Sequence, residues 1–215
     1  MFAKFYDALM ADVDYGLIYA FYEAHKPQKD VVVIDAGCGS GNFLLELARH
    51  EDHVYGIDKD ENMLGIASQK MKSEHLYAPL FVHDLKQPLT IKADVITSFF
   101  DVVNYFKGVK GLFKHMYQAL NDQGVYMFDC YKENVLEMYD GYTEVGDDPI
   151  DYRWEIASHQ SKLVHQVRFG TYEETIIQYV HPIDRIKQML LALGFDVTIE
   201  EGADPRKWYV VARKG

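Results

Sequence analysis

The stretch Val32-Val33-Ile34-Asp35-Ala36-Gly37-Cys38-Gly39-Ser40-Gly41 has the residue types to hold a ligand against bare backbone. An apolar run meets three alternating glycines, and a helical pattern follows. Glycine permits the tight turn, and its missing Cβ lets a ligand approach the main chain. A dinucleotide fingerprint would place its third glycine at position 42, where this chain has Asn42. Asp35 closes the strand with a carboxylate, which repels phosphate and suits a cationic ligand head. Asp58, at the end of the next apolar run, is placed to accept hydrogen bonds from ribose hydroxyls. Asp84 follows a third short run, where a carboxylate can accept from an adenine amino group. Met63, one turn into the second helix, can cover a base. Both have bland readings as well: Met63 as a core gap filler and Asp84 as a turn cap.

The elements that position these residues alternate. Residues 31–35, 53–58, 80–82, 93–99 and 125–128 read as strands. Residues 41–50 carry apolar side chains at helical spacing, and Asp60 caps a helix running to about residue 71. Val109, Leu112, Phe113, Met116, Tyr117 and Leu120 form a 3.6-period stripe, broken by Asn121-Asp122-Gln123-Gly124. A helix follows Pro182 and stops at Gly194, and residues 195–199 and 208–212 close the chain as an antiparallel pair. The expected fold is α/β: a Rossmann-like seven-stranded, mostly parallel sheet with helices on both faces. Residues 131–180 break the alternation. Residues 140–151 read as an acidic surface loop, and 152–158, 163–169 and 173–180 as a small antiparallel insertion before the last helix. It leaves the carboxyl edge of the sheet, where open α/β folds bind ligands. The expectation is a single domain, 1–215, with 131–180 as a lid over the substrate. The competing readings are an insertion that enlarges the fold or one that makes an oligomer contact.

These motifs resemble the class I S-adenosylmethionine-dependent methyltransferases, in particular small-molecule-type bacterial members. Residues 34–41 match the glycine motif, Tyr55-Gly56-Ile57-Asp58 the acidic strand end, and Asp84 with Leu85 and Pro88 the third motif. Residues 120–129 resemble the stretch that usually reads L-x-P-G-G, with Asp122 and Gln123 in place of the proline and first glycine. The resemblance covers about residues 30–130 and the terminal helix and strand pair. It implies S-adenosyl-L-methionine as cofactor. Gly37, Gly39 and Gly41 would admit its methionine part, Asp35 would hold its amino end, Asp58 its ribose and Asp84 its adenine. Phe99 would flank the cofactor, and Tyr6 and Tyr15 would fold over the cleft. Asp101, Asn104 and Tyr105 are the polar candidates for the acceptor and catalysis; Asn104 also reads as a helix cap. The N/D-P-P-Y/F motif of the DNA-amino members is absent.

In the insertion, Tyr152, Trp154, His165 and Tyr172 are the candidates for substrate binding, with His159 and His181 nearby in sequence. An aromatic wall suits an apolar or cationic acceptor. Methyl transfer from a sulfonium is an in-line displacement on an activated donor, so positioning can supply much of the rate. A base is needed only where the nucleophile must lose a proton. No metal-ligand spacing is visible.

Composition narrows the partners. The 215 residues carry 33 acidic and 22 basic side chains, a formal net charge of −11, with no Lys/Arg run. That argues against DNA and long RNA, which need a basic footprint. Aromatic residues reach 14%, with 16 Tyr and 12 Phe, enough ring surface to line a pocket as well as a core. Cys38 and Cys130 stand alone, and there is no signal-peptide pattern or membrane-length apolar run. The expectation is a soluble, cytoplasmic enzyme acting on a small-molecule methyl acceptor. The alternatives are a tRNA or protein methyltransferase, or a sensor that binds the cofactor without turnover. Open space beside residues 99–105 would favour the enzyme, and a filled space the sensor. An NAD-dependent dehydrogenase is the weakest reading, because of Asn42 and Asp35.

Overall fold

The structure, a computed structural model, describes residues 7, 10, 13–27, 30–147 and 151–215. Helix α1 (Tyr15–His25) precedes β1 (Val32–Ala36), α2 (Asn42–His50), β2 (His53–Asp58), α3 (Glu61–Ser73), β3 (Leu80–Val82) and β4 (Ala93–Ser98). A 3₁₀ turn (Val102–Tyr105), α4 (Lys110–Ala119), β5 (Leu120–Tyr131) and the short α5 (Val135–Met138) follow. Next come β6 (Tyr142–Gly146), β7 (Tyr152–His159), β8 (Lys162–Phe169) and β9 (Tyr172–Tyr179). Helix α6 (Ile183–Leu193), β10 (Phe195–Glu200) and β11 (Lys207–Lys214) complete the chain.

Seven strands form one sheet in the order β10-β11-β5-β4-β1-β2-β3, and β11 alone runs against its neighbours. Alternation along the strands builds a core on each face. Ile34, Ile96, Tyr126 and Phe128 pack beneath α4 and α6 through Phe113, Met116, Ile186 and Leu190. Val33, Val54, Val95 and Met127 pack on the other face against Ile18, Tyr22, Phe43, Leu44 and Met71 of α1, α2 and α3. Asp60 caps α3 as its sequence implies, its Oδ1 accepting from Asn62 N at 2.8 Å. Strand β5 starts directly after α4, five residues earlier than its apolar run suggests. Gln123, at the position of the usual motif's first glycine, takes a left-handed φ of 64°. That backbone requirement is why glycine is the common choice there.

Strands β6 to β9 make a separate antiparallel sheet between β5 and α6. Its fourth strand, β6, corrects the reading of 140–151 as loop throughout. The sheet is tied to the larger one by side chains that bond backbone. Asn104 Nδ2 donates to Tyr179 O at 2.8 Å, and its Oδ1 accepts from Tyr131 N at 3.1 Å. His181 Nε2 meets Phe106 O at 2.9 Å. Among the described residues, no helix is long and apolar enough to cross a membrane.

Candidate cofactor and acceptor cleft

A cleft of about 290 Å³ opens at the carboxyl edge of β1, β2 and β4 and runs beneath β9. Tyr15, Asp35, Gly37, Gly39, Asp58, Met63, Asp84, Phe99 and Tyr105 all line it. Six parts of the chain, far apart in sequence, therefore converge where the alternation of strands and helices places the strand ends.

The glycine loop is pinned at its base, since Gly37 N and Cys38 N both donate to Ile57 O, at 2.7 and 3.0 Å. Gly39 N donates to Asp58 Oδ2 and Asp60 N to Asp58 Oδ1, each at 2.9 Å. Each carboxylate oxygen has a second acceptor site, so Asp58 keeps capacity for two ribose hydroxyls. A Cβ placed on Gly39 would meet no protein atom within 4 Å, so the space before it is open. Gly41 is different. Its φ is +83°, and an added Cβ would come 2.7 Å from Ala67 Cβ. This glycine serves the close approach of α2 and α3 and is not among the residues that line the cleft.

Asp35 is 3% exposed, and its Oδ1 accepts from Thr97 Oγ1 at 2.9 Å. Burial pushes its pKa up to about 7, against the Thr97 hydrogen bond and with help from the Asp58 charge. The folded chain therefore holds a proton that the unfolded chain has released, and the ligand-free protein loses stability as pH rises from the ordinary carboxylate range to about 7. A cationic ligand head needs the ionised form. Affinity for S-adenosylmethionine should rise between about pH 5.5 and about pH 7.5, and Asp35→Asn should flatten the rise, read by titration calorimetry at each pH. A flat wild-type profile would remove Asp35 from the cationic end.

Tyr15 closes one side of the cleft. Its ring lies 5.2 Å from that of Phe100, and its hydroxyl accepts from Asn42 Nδ2 at 2.9 Å. Asn42 also donates to Asp7 Oδ1 at 3.1 Å, and Lys70 Nζ pairs with Asp7 Oδ2 at 2.7 Å. The asparagine that spoils a dinucleotide fingerprint thus ties Asp7 and Tyr15 to the loop. Tyr6 lies outside the described residues. Phe99 is wedged edge-on against Phe43, with ring centroids 5.2 Å apart. Tyr105 is 43% exposed, but it opens into the cleft. The surrounding protein, and then the Asp101 carboxylate, push its phenol well above the ordinary value. Its hydroxyl therefore keeps its proton at neutral pH.

Other expected site residues lie elsewhere. Asn104 is fully buried, with both side-chain ends spent on the backbone bonds that join the sheets. Asp101 sits behind the cleft wall. Its Oδ1 accepts from Lys207 Nζ at 2.7 Å, and its Oδ2 accepts from Gln178 Nε2. Trp154 Nε1 donates to His165 Nδ1 at 3.1 Å inside the small sheet's own core. Burial lowers the pKa of His165, so it is a neutral packed ring. Tyr152 bonds Glu144 and borders a separate, more open hollow at the tip of the sheet. Tyr172 is not among the residues that line the cleft; its hydroxyl donates to Glu174 Oε2 at 2.7 Å. The residues of the small sheet that do line the cleft are Glu174 and Ile176. Their period-2 placement on β9 was the available signal. Among the described residues, no cluster of metal-ligating side chains occurs.

The cleft fits S-adenosylmethionine on its own geometry: open space before Gly39, a buried carboxylate at the loop, and a second carboxylate with spare acceptor sites at the end of β2. A family model described as "Methyltransferase domain" matches residues 14–200. "Putative methyltransferase YqeM" of Bacillus subtilis (strain 168) is 28% identical over 214 residues, 91% of this chain and 85% of its own. An S-adenosylmethionine-dependent methyltransferase from Clostridium acetobutylicum ATCC 824 superposes with a TM-score of 0.82, at 22% identity, over 100% of this chain and 98% of its own. CalS10 from Micromonospora echinaspora, an amino pentose methyltransferase with S-adenosylmethionine bound, superposes with a TM-score of 0.79, at 17% identity, over 98% and 96%. The chain belongs to the methyltransferase-domain family and is an S-adenosylmethionine-dependent methyltransferase.

Proposed function

We propose that this enzyme methylates a small molecule enclosed between the glycine-loop edge and the four-stranded sheet, which acts as a lid. The observation that carries this reading is the open space beside residues 99–105. Phe99, Phe100, Val102, Tyr105 and Phe106 form one wall, and Glu174 and Ile176 of β9 face the same cleft. A sensor would have that space filled, and a polymer would need it uncovered. In this reading Asp35 takes the ammonium group of the cofactor, and Gly37 and Gly39 admit its methionine part. Asp58 takes the ribose, Met63 and Asp84 the adenine, and Tyr15 and Phe99 the flanks of the sulfonium. Tyr105 stands on the acceptor side. When bound, the cofactor supplies an activated methyl group, so the chain's task is to hold the acceptor in line and exclude water. CalS10, which shares the fold, is an amino pentose methyltransferase, and this favours an enclosed acceptor.

The test is methyl transfer from labelled S-adenosylmethionine to three fractions of a bacterial extract: filtered metabolites, total tRNA and total protein. Label is expected in the metabolite fraction. Label confined to tRNA or protein would overturn the reading.

A further inference from the structure

On the small sheet, the outward-facing acids are paired. Glu155 meets Arg153 at 3.0 Å and Arg168 at 3.6 Å, and Glu173 meets Arg168 at 3.3 Å. Glu174 is on the opposite, cleft-facing side. Cross-strand register stacks Trp154, Val167 and Glu174 on that face, with Ile156, His165 and Ile176 in the next row. Glu174 has no cation among the described residues, and its one described hydrogen bond is from the Tyr172 hydroxyl. Glu174 is a partly buried carboxylate that lines the same cleft as Ile176, Tyr105 and Phe100, with no counter-charge described beside it. The cleft's other carboxylates lie at the glycine loop and the ends of β2 and β3, where the cofactor reading uses them. The cleft's lysines, Lys59 and Lys86, are sequence neighbours of Asp58 and Asp84, at the nucleoside end.

The geometry points to Glu174 as the acceptor-binding residue, and we infer that the acceptor carries a basic amine. This rests on the small-molecule reading above. The carboxylate holds the ammonium form, while the aromatic faces of Tyr105 and Phe100 favour the same charge. Before transfer, the nitrogen gives one proton to the Glu174 carboxylate and exposes its lone pair. The nitrogen–carbon bond then forms as the electron pair of the breaking carbon–sulfur bond stays with sulfur. The sulfonium becomes a neutral thioether, and the product is a methylated ammonium.

The experiment uses two matched probe sets with S-adenosylhomocysteine saturating the cofactor end. One set is 2-phenylethylamine, 2-phenylethanol and phenylacetate; the other is glucosamine and glucose. Binding is followed by ligand-observed NMR and calorimetry on wild type, Glu174→Gln and Glu174→Asp. In at least one set the amine is expected to bind at least about tenfold more tightly than its hydroxyl partner. Glu174→Gln should erase that preference, Glu174→Asp should keep part of it, and S-adenosylhomocysteine affinity should not change in either. An amine preference that survives in Glu174→Gln overturns the inference. So does equal or tighter binding of the hydroxyl or carboxylate probe, or no amine binding in either set. These failures leave the small-molecule reading standing when the extract assay labels metabolites. Label on tRNA or protein in that assay removes both.

Discussion

Asp58→Ala is expected to weaken binding of S-adenosylmethionine and S-adenosylhomocysteine by about 100-fold. Two hydroxyl groups donating to a carboxylate contribute roughly 1.5–3 kcal/mol each, and losing both costs at least about two decades in affinity. The same carboxylate holds Gly39 N and Asp60 N, so the alanine variant also loosens the glycine loop where the methionine part would lie. The global fold should survive, because Asp58 is at a strand end and only half-buried, outside both large cores. Asp58→Asn keeps one acceptor oxygen and should lose about tenfold. Titration calorimetry with both adenosyl ligands and NAD reads the result. Unchanged adenosyl affinity in the alanine variant would place the ribose elsewhere, and tighter binding of NAD than of either adenosyl ligand would contradict the cofactor.

The cofactor half of this cleft was legible in sequence because each of its parts is local. A strand end, a glycine turn and a helix start lie within ten residues, and the turn leaves those residues little choice of position. Asp35, Asp58 and Asp84 each follow an apolar run, so the sheet delivers all three to one edge. The acceptor half was not legible, because its roles are decided by partners remote in sequence. Asn104 looks like a free polar group until Tyr131 and Tyr179 take both its ends. Trp154 and His165 look like a binding wall until β7 and β8 turn them toward each other. Glu174 belongs to no motif, and only the period-2 pattern of β9 puts it on the covered face. Strand β6 was missed for a different reason. It is a five-residue edge strand, largely exposed on both faces, so burial left no alternation to read.

Lys207 shows how far such remote partnership extends, and its removal is the most destabilising change expected outside the apolar cores. It lies at the start of β11, 5% exposed, with Nζ 2.7 Å from Asp101 Oδ1 and 3.3 Å from Asp129 Oδ2. Asp129 in turn accepts from Phe100 N at 2.9 Å and Asp101 N at 2.5 Å. Those two residues have φ of 61° and 57°, a conformation that side-chain-bearing residues resist and that the cage must therefore enforce. Through Asp101 the same cage reaches Gln178 of β9. Lys207→Met strands the buried Asp129 carboxylate together with the partly buried Asp101 and should cost about 3–5 kcal/mol in urea unfolding. Adding Asp101→Asn and Asp129→Asn to it should recover more than half of that, since the uncompensated charge is the main penalty. Burial works to lower the Lys207 amine, but Asp101 and Asp129 outweigh it and hold its pKa well above the ordinary lysine value. The stability it contributes is therefore complete below the unfolded lysine value and lost only as pH rises through the higher folded one. The gap between wild type and Lys207→Met should close in stronger alkali, and should also narrow toward acid as the variant's stranded Asp129, already raised by burial, takes up a proton. A triple variant no more stable than Lys207→Met would show that the lysine acts by packing its stem rather than by its charge. The strained turn at the cleft wall would then need another explanation than the ion cage behind it.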